Sequence, residues 1–354
     1  MTDRNQGDAN AASRRAIIGG VGGGLMAAPA LLGAMPASAQ QSGQQANQRA
    51  NQRSSSGSGG APSLEDPRQA YPRPPFPRQE QEWPGLASRM QPRPDHGEDS
   101  YRGSGKLTGR RALITGGDSG IGRAAAIAYA REGADVAINY LEAEESDARE
   151  VVELIRQAGR KAVAIPGNIQ EEAFCRQLVD RARQELGGLD ILVNNAGRQT
   201  AQPSIGEIST EQFDNTFKAN IYALFWITKA ALPHMPAGST IINTASVVAF
   251  DPPKMLLDYS MTKSAIITFT QALAKQVAEQ GIRVNAVAPG PYWTPLQPSG
   301  GQPTDALTEF GSQVPLGRPG QPAEIAPVYV MLASGEYSFA SGGVFGSTGG
   351  TAGP

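Results

Sequence analysis

A chain of 354 residues, 40% of them apolar, can bury a sizeable core in one large domain or two medium ones. The formal net charge is only -2 and no long basic run occurs, so the sequence lacks the electrostatic footprint of a nucleic-acid binder. A single cysteine, Cys175, excludes an intrachain disulfide framework, and with His96 and His234 far apart no metal site is expected.

In chain order, Ser13-Arg14-Arg15-Ala16-Ile17-Ile18 opens a Gly/Ala/Leu-rich stretch that runs to Met35, and Ala37-Ser38-Ala39 offers a small-x-small cleavage site before Gln40. Residues 1–39 thus resemble a twin-arginine signal peptide, which implies recognition by the export machinery and a periplasmic location. Gly19 to Gly24 dilute the stretch, so no permanent membrane span is expected. Residues 40–61 are mostly Gln, Asn, Ser and Gly, with the tandem Ala46-Asn47-Gln48-Arg49 and Ala50-Asn51-Gln52-Arg53, and lack the apolar side chains that offset ordering entropy. They read as a disordered linker. Residues 62–105 begin rich in proline, but Tyr71, Phe76, Trp83, Leu86 and Met90 are interleaved, as a plain spacer would not require. This N-terminal arm is predicted to lie on the folded body or on a neighbouring subunit.

Beyond it, β-branched runs alternate with helical patterns. Strands are predicted at 111–115, 135–139, 161–167, 190–194, 239–245, 282–288 and 342–346, and helices at 123–132, 142–158, 171–186, 211–232 and 257–280. Repeated strand-helix-strand units imply an α/β fold with a doubly wound parallel sheet, a Rossmann fold, over residues 106–354.

The strand at 111–115 runs straight into Thr115-Gly116-Gly117-Asp118-Ser119-Gly120-Ile121-Gly122 and then a helix, the context in which a glycine turn binds a dinucleotide. Gly116 permits the tight turn, Gly120 lets backbone approach a pyrophosphate at the helix N-terminus, and Gly122 allows close packing. Later, Tyr259 and Lys263 stand at i and i+4 on one helical face, with Ser246 thirteen residues before the tyrosine. A free tyrosine titrates near ~10, so a neighbouring cation would help it exchange protons at neutral pH. Such pairs also arise by chance on exposed helices; here the glycine turn, Asn194-Asn195-Ala196-Gly197 and Pro289-Gly290 accompany it.

Together these motifs resemble the short-chain dehydrogenase/reductase family, nearest its bacterial aldehyde or sugar reductase-like members with an N-terminal arm. The resemblance spans residues 106 to about 350. It implies a catalytic group of Asn220, Ser246, Tyr259 and Lys263. Ser246 would bond the substrate oxygen, Tyr259 would act as general acid/base, Lys263 would lower the tyrosine pKa and bind ribose, and Asn220 would hold a proton-relay water. It also implies cofactor contacts from Gly116, Ser119, Gly120, Ile121, Gly122, Asn139, Tyr140, Asn168, Ile169, Asn195, Ala196, Gly197, Pro289, Gly290 and Thr294, as well as Tyr259 and Lys263.

After the second strand no acid stands before Glu142, while Arg123 and Ser119 lie close in sequence to the expected 2'-phosphate position, which favours NADP(H) with NAD(H) possible. The substrate pocket is expected from Arg198, Gln199, Val247, Val248, Phe250, Leu256 and residues 291–310, with Tyr292 and Trp293 adding aromatic bulk. It suits an aldehyde, a ketone or a sugar-like alcohol, and no cluster of positive charge is visible in it. The alternative is a dinucleotide-binding sensor or assembly protein without turnover. The helices at 211–232 and 257–280 carry more apolar surface than one sheet face covers, so a homotetramer is expected.

Overall fold

A computed structural model describes residues 64–351 and 353–354. The expected signal peptide, the expected linker and the first two residues of the arm lie outside the described residues.

The seven predicted strands form one parallel sheet in the order β3-β2-β1-β4-β5-β6-β7. They are β1 (Arg111–Thr115), β2 (Asp135–Tyr140), β3 (Ala162–Pro166), β4 (Ile191–Asn194), β5 (Thr240–Thr244), β6 (Arg283–Pro289) and β7 (Val344–Ser347). Side chains alternate across each strand and so serve two cores. Ala112 and Ile114 of β1, Ile138 of β2 and Val193 of β4 join one, whereas Leu113, Ala137 and Leu192 join the other. Each buried Leu, Ile or Val among them contributes roughly 1.5–3 kcal/mol.

The first face is covered by α1 (Gly120–Arg131), α2 (Glu145–Gln157) and, late in the chain, α7 (Pro322–Ala333). The opposite face is covered by α3 (Glu172–Leu186), α5 (Ala223–Ala231) and α6 (Leu257–Val277). α4 (Thr210–Phe217) leads through a π turn, Lys218–Tyr222, into α5. The sequence pattern predicts a single continuous helix there and does not anticipate α7. Its Pro322 and Pro327 disrupt the reading, yet Pro322 occupies a first-turn position where no N–H is needed. The Glu324 carboxylate accepts from Gln321 N–H at 2.8 Å and closes the helix start.

The arm lies on its own chain's body. Phe76, Leu86, Ala87 and Met90 are buried, and Phe76 stacks on Trp293 at 4.3 Å. Backbone bonds from Phe76 N to Thr308 O (2.8 Å) and from Gln81 N to Pro298 O (2.9 Å) seat the arm on the segment after β6. Among the described residues no helix is long and apolar enough to cross a membrane.

Candidate active site

The chain leaves β1 toward β2 on one side and later returns to β4 on the other, so a crevice opens at the carboxyl ends of β1 and β4. There the glycine turn is forced by backbone geometry. Gly116 and Gly120 adopt φ of +62° and +52°, and a Cβ on Gly122 would overlap the Gly116 carbonyl oxygen. α1 starts at this crevice, where Ser119, Gly120 and Ile121 line it. Asn195 locks it from the β4 side, with its Nδ2 donating to the Thr115 and Gly116 carbonyls at 3.1 and 3.2 Å. A side chain at the glycine positions would fill the cradle, so the residues present fit a dinucleotide phosphate.

From this turn a cavity of about 310 Å³ runs past β4, β5 and β6 to the arm. Its lining brings together Gly116, Ser119, Gly120, Ile121, Asn139, Tyr140, Asn168, Ile169, Asn195, Ala196, Gly197, Ser246, Tyr259, Lys263, Pro289, Gly290 and Thr294. Not all of these have free polar atoms. The Asn139 amide donates to the Ile165 and Gly167 carbonyls at 3.1 Å each, and the Tyr140 hydroxyl donates to Glu145 at 2.6 Å. Gly122 lies behind the lining, as its packing role requires.

α6 carries Tyr259 and Lys263 one turn apart, both buried. The Lys263 ammonium lies 5.2 Å from the tyrosine ring centroid and donates to the Thr244 carbonyl at 2.8 Å. Burial pushes Lys263 down to about 7 and pushes the Tyr259 phenol above its ordinary range, the Ser246 hydroxyl pulling the other way. The expected lowering of the tyrosine by the lysine is not seen here: Ser246 is the group that lowers it, and desolvation favours the neutral form of both Tyr259 and Lys263.

Asn220 lies in the π turn rather than on the cavity wall. Its side chain accepts from Arg198 N–H at 2.7 Å and donates to the Arg198 carbonyl and to Thr262 Oγ1, both at 3.0 Å. A single extra residue in a helical turn is a recurrent feature of functional sites. Behind it is a void of about 10 Å³ bordered by Thr115, Asn194, Asn220 and Thr244, where Asn194 Oδ1 has no partner. That is room for about one water.

Three residues that hold the site carry no signal in the sequence analysis. Asp258 is buried; its carboxylate accepts from Tyr259 N–H (2.9 Å), from Thr216 Oγ1 (2.9 Å) and from the Gln212 amide (3.2 Å), tying the start of α6 to α4. Thr262 joins Asn220 to the Tyr259 carbonyl, donating to the latter at 2.7 Å. Thr244 supplies the lysine's acceptor while its hydroxyl meets Tyr329 of α7 at 2.7 Å.

Three expectations are corrected. Arg123 is buried away from the cavity, its Nε donating to Glu98 (3.1 Å) and a terminal nitrogen to Glu150 (2.8 Å), because the helical twist turns it toward the arm. Trp293 is fully buried beneath the arm, and Phe250 is 46% exposed and outside the lining. Of the expected substrate-pocket residues, Arg198, Gln199, Val247, Val248, Leu256 and Tyr292 do line the cavity, and Trp83, Pro84 and Gly85 of the arm join them.

A sequence profile described as Enoyl-(Acyl carrier protein) reductase matches residues 116–352. The uncharacterized oxidoreductase YhxD of Bacillus subtilis is 58% identical over 291 residues, covering 81% of this chain and 97% of its own. The glucose and ribitol dehydrogenase of Daucus carota is 44% identical over 281 residues, covering 78% and 96%. Among solved structures, a short chain dehydrogenase from Burkholderia cenocepacia J2315 in complex with NADP superposes with a TM-score of 0.65 at 36% identity, covering 69% of this chain and 98% of that one. With its parallel sheet, its glycine turn and these relatives, the chain belongs to the short-chain dehydrogenase/reductase family and is an NAD(P)-dependent oxidoreductase.

Proposed function

We propose that the chain interconverts an aldehyde or ketone and the corresponding alcohol, sugar-like alcohols included, with Tyr259 as general acid/base. The observation that carries this is the meeting of Ser246, Tyr259 and Lys263 in one cavity continuous with the glycine turn. Bound there, the nicotinamide would supply or accept hydride. Ser246 bonds the substrate oxygen, and the buried Tyr259 phenol gives its proton to that oxygen as the alkoxide forms. Lys263 and Asn220, with a water in the void beside Asn220, return a proton to the tyrosine. The carrot relative's name favours a polyol or sugar among alcohol substrates. The test is to follow reduced nicotinamide absorbance with a panel of aldehydes, ketones and sugars; no turnover of any of them overturns the reading.

Cofactor choice turns on the end of β2. With Arg123 held by two carboxylates, the groups lining the cavity there are Asp118 and Glu144. Burial chiefly raises them to about 7 and about 8, with Asp147 repelling Asp118, and Asp118 and Asp147 repelling Glu144. A protonated carboxyl can donate to a 2'-phosphate, whereas a carboxylate repels it and accepts from a 2'-hydroxyl. NADP(H) is therefore favoured only on the acid side. Raising pH through 7–8 ionises the pair, so the ratio of KM for NADP(H) to KM for NAD(H) is expected to climb by about tenfold between about pH 6 and about pH 9. A ratio flat across that window removes the pair from cofactor selection.

Two further proposals concern assembly and location. Phe213, Tyr222, Phe225, Leu257 and Met261, on or between α4, α5 and α6, are each more than a third exposed. A homotetramer would cover them. Sedimentation showing only monomer at micromolar concentration refutes it. For export, changing Arg14 and Arg15 to Lys is expected to retain the precursor in the cytoplasm, while the mature wild-type chain begins near Gln40. A wild-type chain fractionating as cytoplasmic with residues 1–39 attached overturns the periplasmic reading.

A further inference from the structure

Among the described residues, Arg198 is the one cation besides Lys263 on the cavity wall. It follows Gly197, where a Cβ would stand 3.7 Å from the Lys263 ammonium, so it begins at the reacting end of the cavity. Its backbone is fixed on both sides by the Asn220 amide. Its guanidinium lies over the Trp83 ring of the arm, 4.3 Å from the centroid. Among the described residues no carboxylate lies within salt-bridge distance of it, and its Nε is buried without a partner. Glu211, at the exposed start of α4, is felt only at longer range.

A guanidinium normally engages its fork of donors, and one half-buried with a donor unsatisfied is costly to maintain. Stacking on Trp83 satisfies the flat face of the group and leaves the in-plane N–H edge unengaged. A carboxylate offers the matching pair of acceptors, and opposite charge offsets the desolvation that weakens the cation here. Sugar hydroxyls could accept the same bonds but would leave the charge uncompensated.

We propose that Arg198, oriented by Trp83, is a specificity residue that binds a carboxylate carried by the substrate away from its reacting carbonyl, so that short ω-carboxy aldehydes are preferred over neutral ones. This rests on the carbonyl-reductase reading. The pocket shows no cluster of positive charge, which speaks against a strongly anionic substrate, but a single carboxylate needs only one oriented guanidinium.

The competing account is that Arg198 only tethers the arm through Trp83. The test compares kcat/KM for ω-carboxy aldehydes of three to six carbons with that for their methyl esters, in the full-length wild-type enzyme and in R198Q and R198K, with quenching of protein fluorescence by reduced cofactor as the check on folding. The wild type is expected to prefer the best acid over its ester by about 10- to 100-fold, the range of one charge-assisted bond pair. R198Q should bring that ratio close to one, through KM rather than kcat, and R198K should fall between. A wild-type ratio near one overturns the proposal whatever the variants do. So does a ratio that survives in R198Q while both substrates slow together, the result a tether predicts. Should R198Q fail to bind cofactor, R198K decides, since it keeps the charge and loses the fork: an undiminished ratio there overturns the bidentate role. Absence of turnover with acid and ester alike, in an enzyme that turns over other members of the carbonyl panel, also overturns the proposal, whereas absence of turnover across the whole panel removes the carbonyl-reductase reading itself.

Discussion

Tyr259→Phe is expected to lower kcat/KM for carbonyl reduction by roughly 10²- to 10⁴-fold, the usual worth of a positioned acid, while cofactor affinity changes little. The phenyl ring keeps the packing of α6 and the face near which the Lys263 ammonium lies. Only the proton donor is lost. The sign of the pH dependence follows from burial. A phenol raised above its ordinary value holds its proton throughout the neutral range, so the acid needed for reduction is present there. Alcohol oxidation needs the phenolate, and its rate should rise with pH over the range in which reduction is flat or falling. A Phe variant retaining more than about half of wild-type activity removes Tyr259 from the proton transfer. Oxidation already independent of pH across the neutral range reverses the assigned direction of the tyrosine shift.

The sheet was legible because parallel strands buried on both faces write themselves as short continuous apolar runs, such as Ala112-Leu113-Ile114 and Ile191-Leu192-Val193. Helix α7 was not. A proline at its first position and another at Pro327 read as loop, although Gln321-Pro322-Ala323-Glu324 carries the acceptor spacing of a capped start. The site residues that the motifs imply mostly share one cavity, because motif spacing encodes strand ends and a helical face. What motif spacing cannot encode is the direction of a neighbour. Arg123 follows Gly122 by one residue, yet about 100° of helical rotation sends it to Glu98 and Glu150, away from the cavity. Trp293 is the immediate neighbour of Tyr292 and Thr294, which line the cavity, yet faces the other way, into the arm. Asp258, Thr262 and Thr244 act through partners distant in sequence, and a lone sequence has no mark for those.

Trp293 is also where the largest loss of stability is expected. It is fully buried, stacks on Phe76, packs with Met90, Leu307 and Phe310, and its indole N–H donates to the Pro92 carbonyl at 2.8 Å. Arm and body meet in this small cluster, which has no other large ring as deeply buried to replace it. Trp293→Ala should cost roughly 3–5 kcal/mol from lost burial and the cavity left behind, a fall of about 5–8 °C in Tm for a folded body of this size. The effect should also reach the active site, since Trp83, Pro84 and Gly85 lie on the same arm and form one wall of the cavity. Limited proteolysis is expected to cut the variant within residues 67–94 well before the body, and KM should rise as that wall loosens. Trp83→Ala separates the two roles: Trp83 is 40% exposed, so its loss should open the cavity mouth with little change in Tm. If Trp293→Ala lowers stability by less than about 1 kcal/mol, the arm is held by its backbone bonds to Thr308 and Pro298 rather than by the aromatic cluster.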